Sequence, residues 1–311
     1  MDIYLAKTQG FCAGVSFAID IVDKALKKFG APLYVYHEIV HNTYVVNEFR
    51  GKGVIFVEDV NEVPEGSRII FSAHGVPPSV VADAQKRKLR FVDATCPLVT
   101  KVHNEASKFS DQHYETILIG HRGHQELKGT AGYVDPDYLH IVEDEADIDK
   151  LSIDPKATVA VVTQTTLSVD ETTQMIDRLK EKFPNLQAPP RSDLCYATQN
   201  RQDSVKELAR MCDLIIICGS PNSSNSNRLV ETGEKAGCES YIIDMVDELD
   251  FNVFKGKKRI GISSGASVPR IIVDDLIARI CEHFPEAKVH SFENPEKNIV
   301  FALPEIENTL K

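Results

Sequence analysis

No long apolar run, no clustered basic face and no paired-cysteine knuckle occurs in this chain of 311 residues, and each absence removes a class of function. Runs such as Leu214–Cys218 are too short to span a bilayer. The opening MDIYLAKTQG has neither the basic start nor the apolar stretch of a secretory signal, so a cytoplasmic protein with no membrane partner is expected. The formal charge is −11, from 35 Lys and Arg against 46 Asp and Glu. That balance argues against nucleic acid and anionic lipid, because neutralising phosphates takes a concentrated basic surface. An anionic small molecule remains admissible. Seven cysteines at long, irregular spacings give no disulfide framework, and without C-x-x-C pairs a closed structural zinc site is disfavoured. Low-complexity segments are absent as well.

What is present is a repeated pattern. Short Val- and Ile-rich runs alternate with stretches of helical period, which predicts an α/β fold with mainly parallel sheets. The predicted strands include Ile3–Ala6, Leu33–Tyr36, Ile69–Phe71, Thr116–Ile119, Thr158–Val162, Leu214–Cys218 and Arg259–Ile262. Three cysteines open three similar stretches: Cys12 precedes His41 by 29 residues, Cys96 precedes His124 by 28, and Cys195 precedes Ser223 by 28. A second polar cluster follows in each, namely His74, the Thr165–Thr166 pair and Ser267. All six clusters come directly after a predicted strand, the end of an open α/β sheet where ligands collect. The length suits three small units, with boundaries near Thr95 and near Ser192, just after the turn-like APPRS segment. The expected domains are 1–95, 96–192 and 193–280, with 281–311 as a tail packing across the core.

Each of the three cysteines also precedes an amphipathic helix. Its predicted buried face is Val15, Ile19, Val22, Leu26 and Phe29 in the first, Leu98, Val102, Ala106 and Phe109 in the second, and Val205, Leu208 and Cys212 in the third. A thiol just before a helix meets N–H groups that favour thiolate, and thiolates bind metal. Cys212, Cys218, Cys238 and Cys281 sit in apolar contexts and read as small hydrophobes. Three remote thiolates suit an iron–sulfur cube with one iron left open, which can act as a Lewis acid. Spacing alone leaves zinc and a catalytic thiol open beside it.

The string GSPNSSNSNR, between a strand and a helix predicted to start near Arg228, offers hydroxyls, amides and free N–H groups suited to phosphate oxygens. By itself it reads equally as a polar turn with a helix cap. His41, His74 and His124 on similar loops add donors fit for a diphosphate. Glu126 lies two residues after His124, so the two side chains point the same way in an extended loop and diverge on a helix. Burial beside phosphates raises a carboxyl pKa and makes such a group a proton donor, with Thr165 or Thr166 as a hydroxyl relay.

Taken in order, QGFCAGV, HEIVHN, SAHGV, DATCPLV, GHRGHQE, TQTTLS, DLCYATQNRQ and GSPNSSNSNRL closely resemble the 4-hydroxy-3-methylbut-2-enyl diphosphate reductases of the non-mevalonate isoprenoid pathway, and the likeness runs on to the NIVFALP ending. The resemblance implies a trefoil of three pseudo-symmetric α/β domains around a central 4Fe–4S cluster. Cys12, Cys96 and Cys195 would bind three irons, and loss of the labile fourth would leave a 3Fe–4S form. It also implies a diphosphate among His41, His74, His124, Ser223, Ser224, Asn225 and Ser267, with Thr165 and Glu126 at the allylic hydroxyl and Glu126 as proton source. A ferredoxin- or flavodoxin-type partner would deliver two electrons singly, and the products would be isopentenyl and dimethylallyl diphosphate. Two positions depart from the family pattern. Gln125 replaces the proline of a His-Pro-Glu string, which bears on how Glu126 is aimed, and Ser16-Phe17 stands where an arginine is common. The same Cys, His and Glu supply also fits a zinc- or cysteine-dependent hydrolase of a phosphorylated metabolite, or a non-catalytic cluster-bearing sensor.

Overall fold

A computed structural model describes residues 1–188, 192–296 and 298–310; most of the turn-like segment before Ser192 therefore lies outside the described residues. The strands are β1 (Asp2–Leu5), β2 (Leu33–Tyr36), β3 (Val54–Val57), β4 (Arg68–Phe71), β5 (Arg90–Asp93), β6 (Glu115–Ile119), β7 (Leu139–Val142), β8 (Val159–Thr163), β9 (Leu214–Cys218), β10 (Ser240–Ile243), β11 (Arg259–Ser264) and β12 (Lys288–His290). The helices are α1 (Ala13–Phe29), α2 (Thr43–Gly51), α3 (Pro78–Lys86), α4 (Pro97–Asp111), α5 (Gln125–Ala131), α6 (Glu145–Lys150), α7 (Val169–Lys182), α8 (Tyr196–Ala209), α9 (Ser224–Lys235), α10 (Arg270–His283) and α11 (Ile306–Thr309).

The strands form three sheets, ordered β10-β9-β11-β1-β12, β3-β2-β4-β5 and β7-β6-β8, and every pairing is parallel. The predicted mixed α/β class with parallel sheets is therefore what the chain adopts. Parallel strands need crossovers, and the helices between them supply these while covering the sheet faces. That is why β8 and β9 are buried at every residue.

Contacts divide the chain into two compact units. One comprises residues 1–16, 40–49 and 196–300 and contains the five-stranded sheet. Its cores pack Ile3, Leu214, Ile216, Ile262 and Leu276 together, and separately Val205, Leu208, Ile215, Ile217 and Leu229. The other comprises residues 17–39, 50–195 and 301–311 and contains the two smaller sheets. There Ile117, Val159, Val161, Leu179 and Phe183 form one core and Ile69, Phe71, Val76 and Leu89 another.

The three helices behind the cysteines form as predicted, but α1 buries a different face. Phe17, Ala18, Ile21, Val22 and Ala25 are buried, whereas Val15, Ile19, Leu26 and Phe29 are only partly covered. The buried stripe is thus shifted from the predicted one and shares only Val22 with it. In α4 the buried face is Val99, Val102, His103, Ala106 and Phe109, with Leu98 half-exposed; in α8 Val205 and Leu208 are buried, as is Cys212 just beyond. The segment after Cys281 continues α10 for two residues and then adds β12 beside β1.

Candidate active site

All six polar clusters lie in loops that leave the carboxyl ends of strands: His41 after β2, His74 after β4, His124 after β6, Thr165 after β8, Ser223 after β9 and Ser267 after β11. The three cysteines share a further feature. Each backbone N–H donates to a carbonyl in one of the loops carrying a second polar cluster: Cys12 to Ala266 at 3.0 Å, Cys96 to Ala73 at 3.0 Å and Cys195 to Thr165 at 3.2 Å. The acceptors adjoin Ser267 and His74, or are Thr165 itself. Each cysteine directly precedes its helix. Cys12 Sγ accepts from Val15 N at 3.5 Å, and Cys96 caps α4 with Pro97 at the first helical position, where proline's missing N–H costs nothing. These three thiols are half-buried, whereas Cys212, Cys218 and Cys238 are buried, and desolvation pushes the Cys212 and Cys218 thiols up to about 12. The donor chemistry fits a thiophilic cluster at Cys12, Cys96 and Cys195 rather than at the buried thiols.

In the larger unit, the ring centroids of His74 and His124 are 5.9 Å apart, and His37 joins the row at 6.0 Å from His74. Sequence reasoning missed His37; its place in HEIVHN, four residues before His41, was the available signal. Ser72 Oγ lies 3.3 Å from His74 Nδ1. Gly75 turns the loop at φ +80°, and a Cβ there would stand 2.4 Å from His103 Cε1, so only glycine fits.

His124 is the N-cap of α5, its Nδ1 accepting from Glu126 N at 3.2 Å. The chain thus takes the helical alternative, and the two side chains diverge. Gln125 occupies the first helical position and leaves the helix intact. Glu126 is 3% exposed, and its two oxygens accept from Thr165 N at 2.5 Å and from Thr165 Oγ1 at 3.0 Å. Burial pushes its carboxyl up to about 7, against the opposing pull of those two neutral donors. Thr166 turns away from this pair and accepts from Gln164 Nε2 at 2.9 Å.

In the other unit, α9 begins at Ser224, one turn before the predicted start near Arg228, because Ser223 Oγ caps it by accepting from Ser226 N at 3.3 Å. Ser224 and Asn225 therefore occupy its first turn. Asn225 is buried, and its Nδ2 has no hydrogen-bond partner among the described residues, leaving a donor unsatisfied in a loop suited to an anion. Gly265 permits this packing: a Cβ would come within 2.1 Å of Ser226 Oγ and 3.1 Å of Asn225 Nδ2. Ser267 Oγ donates to the His41 carbonyl at 2.9 Å, which joins two of the clusters. Thr43 N donates to Ser220 Oγ at 3.0 Å and so ties the His41 loop to the strand end of β9.

Phe17, at the departure from the family pattern, is buried edge-on against Phe301 with centroids 6.4 Å apart.

Comparison with known proteins points the same way along nearly the whole chain. A protein from Psychrobacter sp. (strain PRwf-1), named 4-hydroxy-3-methylbut-2-enyl diphosphate reductase, is 48% identical over 98% of this chain and 96% of its own length. A Pseudomonas aeruginosa (strain LESB58) protein of the same name is 49% identical over 98% of both chains. The structure of E-1-hydroxy-2-methyl-but-2-enyl-4-diphosphate reductase from Plasmodium falciparum is similar with a TM-score of 0.94 at 38% identity, covering 99% of this chain and 96% of that one. A second solved structure, of (E)-4-hydroxy-3-methyl-but-2-enyl diphosphate reductase, gives a TM-score of 0.65 at 33% identity over 90% of this chain and 99% of the other. The family model for LytB protein matches residues 3–281, and the chain belongs to that family.

Proposed function

We propose that this chain is an oxidoreductase that removes the hydroxyl of 4-hydroxy-3-methylbut-2-enyl diphosphate as water, yielding isopentenyl and dimethylallyl diphosphate in the non-mevalonate route to isoprenoids. The reaction consumes two electrons and two protons. Near-half identity to relatives of that name, over almost all of both chains, supports the reading. The single observation that carries the chemistry is Glu126: a buried carboxyl raised to about 7 and bonded by the N–H and hydroxyl of Thr165 is a proton donor tuned near neutrality.

In this reading Cys12, Cys96 and Cys195 hold a 4Fe–4S cluster with one iron free of protein ligands, and 1–95, 96–192 and 193–280 act as three α/β domains with 281–311 as a tail. When bound, the cluster supplies electrons one at a time and a Lewis-acidic iron. Everything else falls to the chain. His41, His74, His124, Ser223, Ser224, Asn225 and Ser267 bind the diphosphate, which fixes the allylic hydroxyl and gains the rate advantage of proximity. Asn225 Nδ2, at the start of α9, is a buried donor without a partner among the described residues and suits a phosphate oxygen. Thr165 Oγ1 orients Glu126, and Glu126 delivers a proton as negative charge builds on the departing oxygen. An electron carrier of the ferredoxin or flavodoxin type is the partner, and no helix among the described residues is long and apolar enough to cross a membrane.

Anaerobic purification followed by absorption spectroscopy and iron and sulfide analysis tests this. A brown protein with cluster-level iron, consuming the allylic diphosphate under reducing conditions, is the expected result. A protein that stays colourless after cluster reconstitution overturns it.

A further inference from the structure

Two cations lie in the second turn of the helices behind two of the cysteines. Arg201 lies on α8, six residues beyond Cys195, and Lys101 lies on α4, five residues beyond Cys96. Arg201 is fully buried, at 0% exposure. Its Nη1 lies 3.0 and 3.3 Å from the two carboxylate oxygens of Glu296, which also accepts from Asn200 Nδ2 at 2.9 Å. Its Nη2 donates to the Gly10 carbonyl at 2.9 Å. Gly10 stands two residues before Cys12, with φ at +79°. Lys101 Nζ lies 3.2 Å from Asp193 Oδ1 and 3.5 Å from Glu105 Oε1. Asp193 stands two residues before Cys195, and its Oδ2 accepts from Thr163 N at 3.1 Å.

Both cations therefore reach from the helix behind one cysteine to the residue two before another. On α1 the position that matches Lys101, five residues beyond its cysteine, is Phe17, which meets Phe301 instead. A buried ion pair adds little net stability over a well-packed apolar replacement, so bulk stability is a weak reason for a guanidinium here. Direction is a better one. The planar fork of arginine serves two acceptors outside its own helix, Glu296 and the Gly10 carbonyl, with a third bond from Nη1 to the Ala197 carbonyl at 3.1 Å, and this sets the Gly10 carbonyl relative to α8 where glycine's own backbone freedom would leave it loose.

We propose that Arg201 and Lys101 are positioning residues, Arg201 for the Cys12 loop and Lys101 for the Cys195 loop, each holding its sulfur in place before metal arrives. The role of these loops as ligand loops rests on the function proposed above; the positioning itself is a property of the chain.

Hydrogen exchange on the full-length, anaerobically purified protein tests the proposal, with the Cys12 and Cys195 amides as reporters and iron content measured alongside. Arg201→Lys keeps a charge opposite Glu296 but cannot span both acceptors. Exchange at residues 8–12 is expected to accelerate about tenfold while residues 193–195 stay at wild-type rates. Lys101→Met is expected to do the reverse. Glu296→Gln, which keeps the fork on Gly10, is expected to loosen residues 292–296 and leave the Cys12 amide near its wild-type rate. Equal loosening of both loops by either variant, or no loosening of its own loop, overturns the proposal. Should Arg201→Lys fail to fold, Glu296→Gln decides: a Cys12 amide as loose as 292–296 counts against a positioning role. Wild-type protein that takes up no iron defeats the cluster reading and leaves the exchange pattern to be judged alone.

Discussion

Glu126 and Glu296 are both glutamates withdrawn from water, and they differ in what meets them. Glu126 is 3% exposed and, among the described residues, receives the N–H and hydroxyl of Thr165; Glu296 is 8% exposed and receives the guanidinium of Arg201 together with Asn200. Neutral donors do not offset the cost of a buried charge, so Glu126 binds its proton up to about 7. A guanidinium meets the charge directly, and the result is an anchor between α8 and the C-terminal segment. The same side chain thus holds a proton near neutrality in one region and forms a fixed tie in the other.

Substitutions sharpen that contrast. Glu126→Gln preserves shape and hydrogen bonding but carries no acidic proton, so turnover is expected to fall by about 10²–10⁴ with iron content and KM near wild type. Anaerobic steady-state kinetics check this, and near-normal turnover refutes the acid. Arg201→Met leaves Glu296 buried without its counter-charge and is expected to cost about 3–5 kcal/mol in denaturant unfolding, most of it recovered in Arg201→Met/Glu296→Met. Without that recovery, the arginine is not chiefly a partner for Glu296.

The pH dependence separates the two glutamates next. The folded carboxyl of Glu126 titrates near 7 and the unfolded one near 4.5, so the folded state holds the extra proton between those values. The stability it contributes is fully present below 4.5 and lost as pH rises through 7. Glu126→Gln is therefore expected to gain on wild type by about 3 kcal/mol between pH 4.5 and 8, a difference that unfolding midpoints at the two pH values measure. The smallest effect is at the anion loop. Asn225→Ala is expected to weaken diphosphate binding about tenfold in calorimetry with the absorption spectrum unchanged.

The sequence made the sheet interiors legible and left their edges silent. β1, β2, β4, β6, β9 and β11 lie between two neighbours and read as continuous apolar runs, and β8, also legible, is flanked by a bridge from Ala160 to Gln187. The strands not named from sequence, β3, β5, β7, β10 and β12, are all edge strands. Their mixed burial, as in β5 and β12, matches the way proteins blunt exposed strand edges. The placement of the six polar clusters after strand ends was legible because strand-end loops concentrate polar side chains. The turn of α5 under Glu126 and the early start of α9 were not, because both depend on caps whose geometry only the folded loop defines. Nor did the apolar period of α1 reveal which side of a broadly apolar helix turns inward, since apolar residues stand on both the buried and the partly covered sides.

β1 pairs with β11 and β12, both far along the chain from it. Cys96 and Cys195 hang from Ala73 and Thr165, which leave the ribosome before them; Cys12 hangs from Ala266, which leaves long after. The frame of the first cysteine therefore waits on a long-range closure of the kind that folds slowly. In the reading proposed above, a cluster held by that cysteine waits on the same closure, its thiol open to oxidants and competing metals meanwhile.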